Sequence, residues 1–179
     1  MKIYCDFCRK EVCTTSKMCR VTHTVKGDDI TVDEEIHSCP DCKNELWVPG
    51  ALAKVYDAYR ERNGLLSSAQ IKAIRESYGL TQNLFAKLLG FGEKTITRYE
   101  NGSIQDVAHD NLLKMAAIPD NFKTLFEQNK ARLNSLECRK VEKATERHGN
   151  GRALVVYSRG ADCGFYGDES FSERRGYAS

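Results

Sequence analysis

Six of the eight cysteines in this 179-residue chain fall within the first 42 positions, and four of them form two tight pairs, Cys5-Asp6-Phe7-Cys8 and Cys39-Pro40-Asp41-Cys42. Thiols spaced in this way on a tight turn aim both sulfurs at one point. Two such pairs in a short, strand-rich segment fit a tetrahedral Zn(Cys)4 site. One structural Zn2+ on Cys5, Cys8, Cys39 and Cys42 is therefore expected. Four thiolates fill the coordination shell and leave no position for a catalytic water, so the expected role of the ion is folding. Cys13 and Cys19 read as small residues near the site, or as replacements for one ligand, or as partners of His23 and His37 in a second site. Cys138 and Cys163 have no local partner and no positioned base, which makes them ordinary free thiols.

The second constellation is Leu80 to Gly102, a 23-residue stretch with the pattern of a helix-turn-helix. Thr81 can cap a helix and Gln82 then lies at its N-terminus, where donors can reach a phosphate. Ala86 is small where two helices approach closely, and Gly90 permits the tight turn. A helix near Glu93 to Glu100 buries Ile96 and Tyr99 and exposes Glu93, Lys94, Thr95, Thr97 and Arg98. Short polar and basic side chains on one face suit a helix that enters the major groove. The competing reading makes Lys94 and Arg98 a solvated face paired with Glu93 and Glu100. The pattern as a whole favours DNA contact through Thr81, Gln82, Glu93, Lys94, Thr95, Thr97 and Arg98.

The elements that must position these groups fall into four segments. Residues 1–48 form the zinc-binding module, in which Arg20 to Val25 and Ile30 to Val32 alternate as strands around Lys26-Gly27-Asp28-Asp29, a hairpin loop. That hairpin spans the gap of 30 residues between the cysteine pairs. Residues 49–64 form a bridging helix that Pro49 can start, with Leu52, Val55, Tyr56 and Tyr59 on one face and Asn63-Gly64 at its end. Residues 65–129 hold five helices, capped by Ser67 or Ser68 and by Thr81, and broken by Gly79, Gly90, Asn101-Gly102 and Pro119. Residues 130–179 are a C-terminal extension: a helix over Ala131 to Arg147 with Leu133, Leu136, Val141 and Ala144 as its stripe, then a weakly structured end. The fold class is thus α+β and multidomain: a small β-rich zinc module, an all-α five-helix lambda-repressor-like domain, and a partly helical or disordered tail.

The charge balance is near neutral, +2 overall, with the basic surplus concentrated in residues 63–103 and 130–179 and an acidic stretch at 104–129. Any electrostatic footprint for nucleic acid is therefore local. No run approaches the ~20 apolar residues of a membrane span, and Met1-Lys2-Ile3-Tyr4-Cys5 is not followed by a signal-peptide core. A cytoplasmic protein without a membrane partner is expected, and the cytosol keeps thiols reduced. An enzyme is not expected: the chain shows no Ser/His/Asp order and no carboxylate pair in context. His148-Gly149-Asn150-Gly151-Arg152 has the glycines of a phosphate loop, but the strand-like run Ala153 to Tyr157 follows it in place of a helix. That run is a short local strand or one that adds to the sheet edge of a partner.

Leu80 to Gly102 resembles the Xre/Cro family of helix-turn-helix repressors, most closely in its Leu-Thr-Gln opening and its Arg-Tyr-Glu-Asn-Gly close. Two C-x-x-C pairs, a bridging helix and that module in succession are similar to the MqsA (YgiT-type) antitoxins over about residues 1–129. The resemblance implies a structural zinc module that docks a protein toxin, an mRNA-cleaving ribonuclease. It also implies a helical module that forms a homodimer and binds a palindromic double-stranded DNA operator, repressing its own operon as part of a type II toxin-antitoxin system. The base-reading Asn and Arg of that family fall at Lys94 and Arg98. Lys94 departs from the pattern, and a lysine reads guanine where asparagine reads adenine. The family stops soon after the helical domain, whereas this chain continues for about 50 residues. The alternative is a stand-alone regulator of phage or mobile-element type. Leu112, Met115, Phe122, Leu125 and Phe126 are candidates for either the dimer interface or the core.

Overall fold

In a computed structural model of the chain, residues 1–46, 48 and 50–147 are described. Pro49, the Gly-rich stretch from His148, the run Ala153 to Tyr157 and Cys163 lie outside them.

Two small sheets open the chain. β1 (Lys2–Cys5) and β2 (Lys10–Cys13) pair antiparallel, with Cys5 opposite Lys10. β3 (Thr15–Val25) and β4 (Asp28–Ser38) form a long antiparallel hairpin, and β5 (Glu45–Leu46) pairs with the end of β4. The hairpin turns on Lys26 and Gly27, both at positive φ (50° and 93°), as a two-residue type I′ turn requires. The expected hairpin is present, with strands longer and a turn tighter than alternation alone indicates. Its open face carries cross-strand polar pairs in place of a hydrophobic signal: Arg20 to Asp33 at 3.1 Å, Thr22 with Thr31 at 2.8 Å, and Thr24 to Asp29 at 2.8 Å. These pairs stabilise a strand whose sequence, Asp33-Glu34-Glu35, does not look like one.

α1 (Ala53–Arg62) packs on the turn-proximal half of the hairpin. Val55 and Tyr59 of α1 and Ile30 of β4 form a small core, against which Val25, Val32, Leu65 and Ile104 lean. The helix starts at Ala53, two residues later than Ala51, and no side chain caps it.

The helical domain comprises α2 (Ser68–Ser77), α3 (Gln82–Leu89), α4 (Thr95–Glu100), α5 (Val107–Ala116), α6 (Pro119–Asn129) and α7 (Ser135–Arg147), with a 3-10 turn over Lys130–Arg132. Local chemistry fixes most starts. Ser67 and Gln70 form a reciprocal capping box on α2, Thr81 caps α3 and Asp106 caps α5, each satisfying an otherwise orphaned N–H. A single core gathers Leu66, Ile71, Ile74, Leu84, Phe85, Leu88, Ile96, Leu113, Phe122 and Phe126. Tyr78 stacks on Phe122 with ring centroids 3.7 Å apart and donates its hydroxyl to Ala116 O at 2.8 Å.

The C-terminal helix departs from the expected stripe. In place of a continuous helix from Ala131, the chain breaks after the 3-10 turn and restarts at Ser135. Asn134 Oδ1 accepts from the N–H groups of Leu136 (3.0 Å) and Glu137 (2.9 Å), and Glu137 Oε2 accepts from Asn134 N–H at 2.8 Å. The restart shifts the phase, so Leu136 is exposed while Val141 and Ala144 enter the main core. The helical core therefore continues past residue 129. Of the five dimer or core candidates, Phe122 and Phe126 are buried and Leu112 and Leu125 half-buried; Met115 is the exposed one.

Candidate metal centre and nucleic-acid interface

The cysteine pairs meet where the two small sheets abut. Each pair occupies a turn that closes with a residue in the left-handed region, Arg9 (φ 52°) after the first and Lys43 (φ 62°) after the second. In the second turn Lys43 N–H donates to Cys39 O (3.0 Å) and Cys39 N–H to Asn44 O (2.9 Å). Lys10 bridges to Asp41 at 2.8 Å and ties one turn to the other. The sulfurs of Cys5 and Cys42 stand 3.6 Å apart and those of Cys8 and Cys39 3.8 Å. All four lie within 4.8 Å of one another. A regular tetrahedron with Zn–S bonds of about 2.3 Å has its sulfurs about 3.8 Å apart, so the cluster has the dimensions such an ion needs. Cys5 and Cys39 are fully buried.

The thiols share their protons unevenly. The backbone N–H of Asn44, aided by hydrogen bonds from the other cysteines, holds Cys42 down to about 6. Its hydrogen bond with Cys42, and then burial, push Cys8 up to about 12.

The remaining N-terminal candidates stand apart. Among the described residues the four-cysteine group is the one cluster with metal-site geometry. Cys13 is exposed and Cys19 half-buried. His23 Nε2 lies 2.9 Å from Glu34 Oε1, while His37 Nδ1 lies 3.2 Å from Thr14 Oγ1. Cys138 is half-buried against the helical core.

The helix-turn-helix residues are set by α3, its turn and α4. Gly90 ends α3 at φ 74°, and a Cβ there would stand 2.6 Å from Arg132 Nη1. Phe91 N–H closes the turn on Ala86 O at 2.8 Å. α4 begins at Thr95, later than the expected Glu93: Lys94 at its N-cap supplies no side-chain acceptor, and the preceding turn closes from Thr95 N–H to Gly92 O at 2.9 Å. Lys94 consequently sits at the mouth of the helix with Arg98 one turn beyond, its N–H donating to Lys94 O at 3.0 Å. Glu93, Lys94 and Arg98 are exposed, Thr95 and Thr97 half-buried, and Thr81 exposed at the start of α3. Neither Lys94 nor Arg98 forms an ion pair with a described residue.

Glu100 faces the other way, into a network that sequence reasoning missed. Its carboxylate accepts from Arg75 Nε (2.6 Å) and Nη2 (2.9 Å) and from Gln82 Nε2 (2.7 Å). Gln82 Oε1 in turn accepts from Thr97 Oγ1 at 2.9 Å, and Arg75 Nη1 donates to Leu80 O at 2.8 Å. Gln82 and Thr97, expected as DNA contacts, are thus engaged with each other and lock α3 to α4. Burial would raise the Glu100 pKa, but the hydrogen bonds from Arg75 and Gln82 outweigh it and hold the carboxyl below its usual range. The far end of α4 is fastened as well. Ser68 Oγ donates to Tyr99 O (2.6 Å), and the buried Arg60 of α1 donates to Gly102 O (2.7 Å) and Ser103 O (3.2 Å).

The sequence model of the helix-turn-helix family HTH_3 matches residues 71–120, from α2 into the start of α6. The match covers less than a third of the chain, and no curated protein matches the sequence. It supports a DNA-binding transcriptional regulator. No helix among the described residues is long and apolar enough to cross a membrane.

Proposed function

We propose that the chain is a sequence-specific repressor that reads double-stranded DNA with α4. Lys94 and Arg98 contact base edges, and Thr81 and Glu93 flank them at the groove. The observation that carries this reading is a pair of exposed, unpaired cations one turn apart on a helix bolted to its neighbours along the opposite side. Fixed orientation of a short basic face is what discrimination between base pairs requires. Zn2+ held by Cys5, Cys8, Cys39 and Cys42 is structural in this reading. The active species is a homodimer on a palindromic operator with half-sites about one helical turn (~34–36 Å) apart. Sequencing of DNA bound to the full chain, with Arg98→Ala alongside, is the test. Recovery of an inverted repeat by the wild type and its loss in the variant are expected. A featureless bound pool from the wild type would refute sequence-specific reading.

The same reading extends to an antitoxin that neutralises a toxin and represses its own operon, on the strength of the zinc module, bridging helix and repressor module in series. An adjacent reading frame that kills cells when expressed alone, and is rescued by this chain through a stable complex, is the expected result. Absence of any such frame would leave the stand-alone regulator, which the docked α7, an addition beyond the matched module, independently favours.

A further inference from the structure

The helix α7 lies outside the residues matched by the helix-turn-helix family, yet it is not an appendage. Val141 and Ala144 are buried in the main core, and Glu137 pairs with Lys87 of α3 at 2.7 Å. Docked in this way, the helix presents Lys140 and Lys143 on one face. They line a hollow of about 280 Å3 together with Gly79, Leu80 and Thr81, the segment that leads into α3. Both lysines are exposed, and neither forms an ion pair with a described residue. Glu137, whose field reaches Lys140, is committed to Lys87. Two ammonium groups three residues apart on one helix face repel one another, and Glu137, which attracts Lys140, makes its own ion pair elsewhere. The hollow they line also includes Thr81, at the start of α3.

We infer that α7 widens the DNA interface, with Lys140 and Lys143 holding the phosphate backbone beside the half-site that α4 reads. This rests on the DNA-binding reading above. A lysine is a flexible point charge with no fixed fork for base edges. The contribution is therefore to affinity and not to sequence choice, and it strengthens binding to any duplex. The charge on the occupant is set by the two cations and its extent by the exposed lip of the hollow, which a strand running past the start of α3 would follow.

The test uses the full chain and a mixed-sequence duplex of about 30 bp, with binding followed by fluorescence anisotropy between about 50 and 200 mM salt. In Lys140→Ala/Lys143→Ala, log K against log[salt] should become shallower by about 2, at ~0.9 per phosphate contact, with affinity down about tenfold near 100 mM salt. Lys140→Arg/Lys143→Arg should restore both. Lys2→Ala/Lys17→Ala, with the same change in net charge on the N-terminal sheets, should keep the wild-type slope. An unchanged slope in the α7 variant, with circular dichroism showing it folded, would overturn the inference while leaving DNA binding by α4 intact. An equal change in the Lys2/Lys17 variant would overturn it too, by showing a bulk charge effect. If the wild type binds no duplex at the lowest salt, the DNA-binding reading fails and takes this inference with it.

Discussion

Replacing Arg75 with methionine should unseat α3 and α4 from behind. The Glu100 side chain is 4 % exposed and accepts two hydrogen bonds from Arg75 and one from Gln82. Methionine keeps the aliphatic volume of arginine but leaves the carboxylate facing a single amide. Breaking a buried pair by removing one partner costs about 3–5 kcal/mol, against a total stability of about 5–15 kcal/mol. At about 4–8 °C per kcal/mol for a helical domain of this size, the thermal midpoint should fall by roughly 12–40 °C. The companion Arg75→Met/Glu100→Leu removes both charges and should recover much of the loss, since replacing a whole buried pair by apolar groups is close to neutral. The effect also has a pH signature. Glu100 titrates below its ordinary value in the folded chain, so its contribution is present above the unfolded value, about 4.3, and is lost as pH falls through the folded value. In Arg75→Met the stranded carboxylate gains from protonation, so the deficit of the variant relative to wild type should narrow on acidification. Chemical denaturation followed by circular dichroism across pH measures both effects. A deficit below about 1 kcal/mol at neutral pH, or one that does not narrow with acid, would refute the reasoning.

Three further outcomes are expected. Arg98→Ala should lower operator affinity by roughly 1–3 kcal/mol with no change in thermal midpoint, as gel-shift titration and calorimetry would record; unchanged affinity removes it from the reading set. Phe122→Ala, at a fully buried ring stacked on Tyr78, should cost about 3–5 kcal/mol in denaturant unfolding, and a cost under about 1 kcal/mol would contradict the packing. Chelation, or Cys39→Ser, should release β1, β2 and the cysteine turns, seen as fast amide exchange there, while DNA affinity stays within about threefold. Loss of both together would show that the metal supports the DNA interface.

Where the sequence carried local chemistry, it was readable. The cysteine spacing, the Thr81 cap, the Gly90 turn and the Lys26-Gly27 hairpin are short-range signals, and each is found where expected. Long-range relations were not. Gln82 and Thr97 read as DNA contacts because they sit on the right helices. Nothing local says that Glu100, 25 residues from Arg75, draws them inward. The alternation of Arg20 to Val25 and Ile30 to Val32 was legible, but the outer lengths of β3 and β4 were hidden because segments such as Asp33-Glu34-Glu35 carry no apolar alternation. The phase of α7 was legible but missed: Asn134-Ser135-Leu136-Glu137 is an N-cap followed three residues later by an acid, and it marks a restart that breaks the stripe assumed from Ala131.

The four-cysteine cluster and the helical domain sit at opposite ends of one hairpin, and this decides how much each can feel the other. Strands of eleven residues span roughly 35 Å. The cysteines close one end, whereas the turn at the other end meets the helical domain, with Lys26 Nζ donating to Gln105 O at 3.3 Å. Between them stands α1, whose Arg62 donates to Asp29 O (2.8 Å) on the hairpin side and whose Arg60 holds Gly102 and Ser103 on the DNA side. Gln105 is itself buried, bonded to Leu66 O (2.6 Å) and to Asp110 (2.9 Å), so the segment that follows α4 is fixed from within the helical domain even without the hairpin. A disturbance that starts at the cysteine cluster must therefore cross the length of the hairpin, then its turn or α1, before it meets a loop already held twice. Arg60 is, with Lys26, one of the points at which the two halves are joined: a change there strikes α4 at its C-terminal end directly.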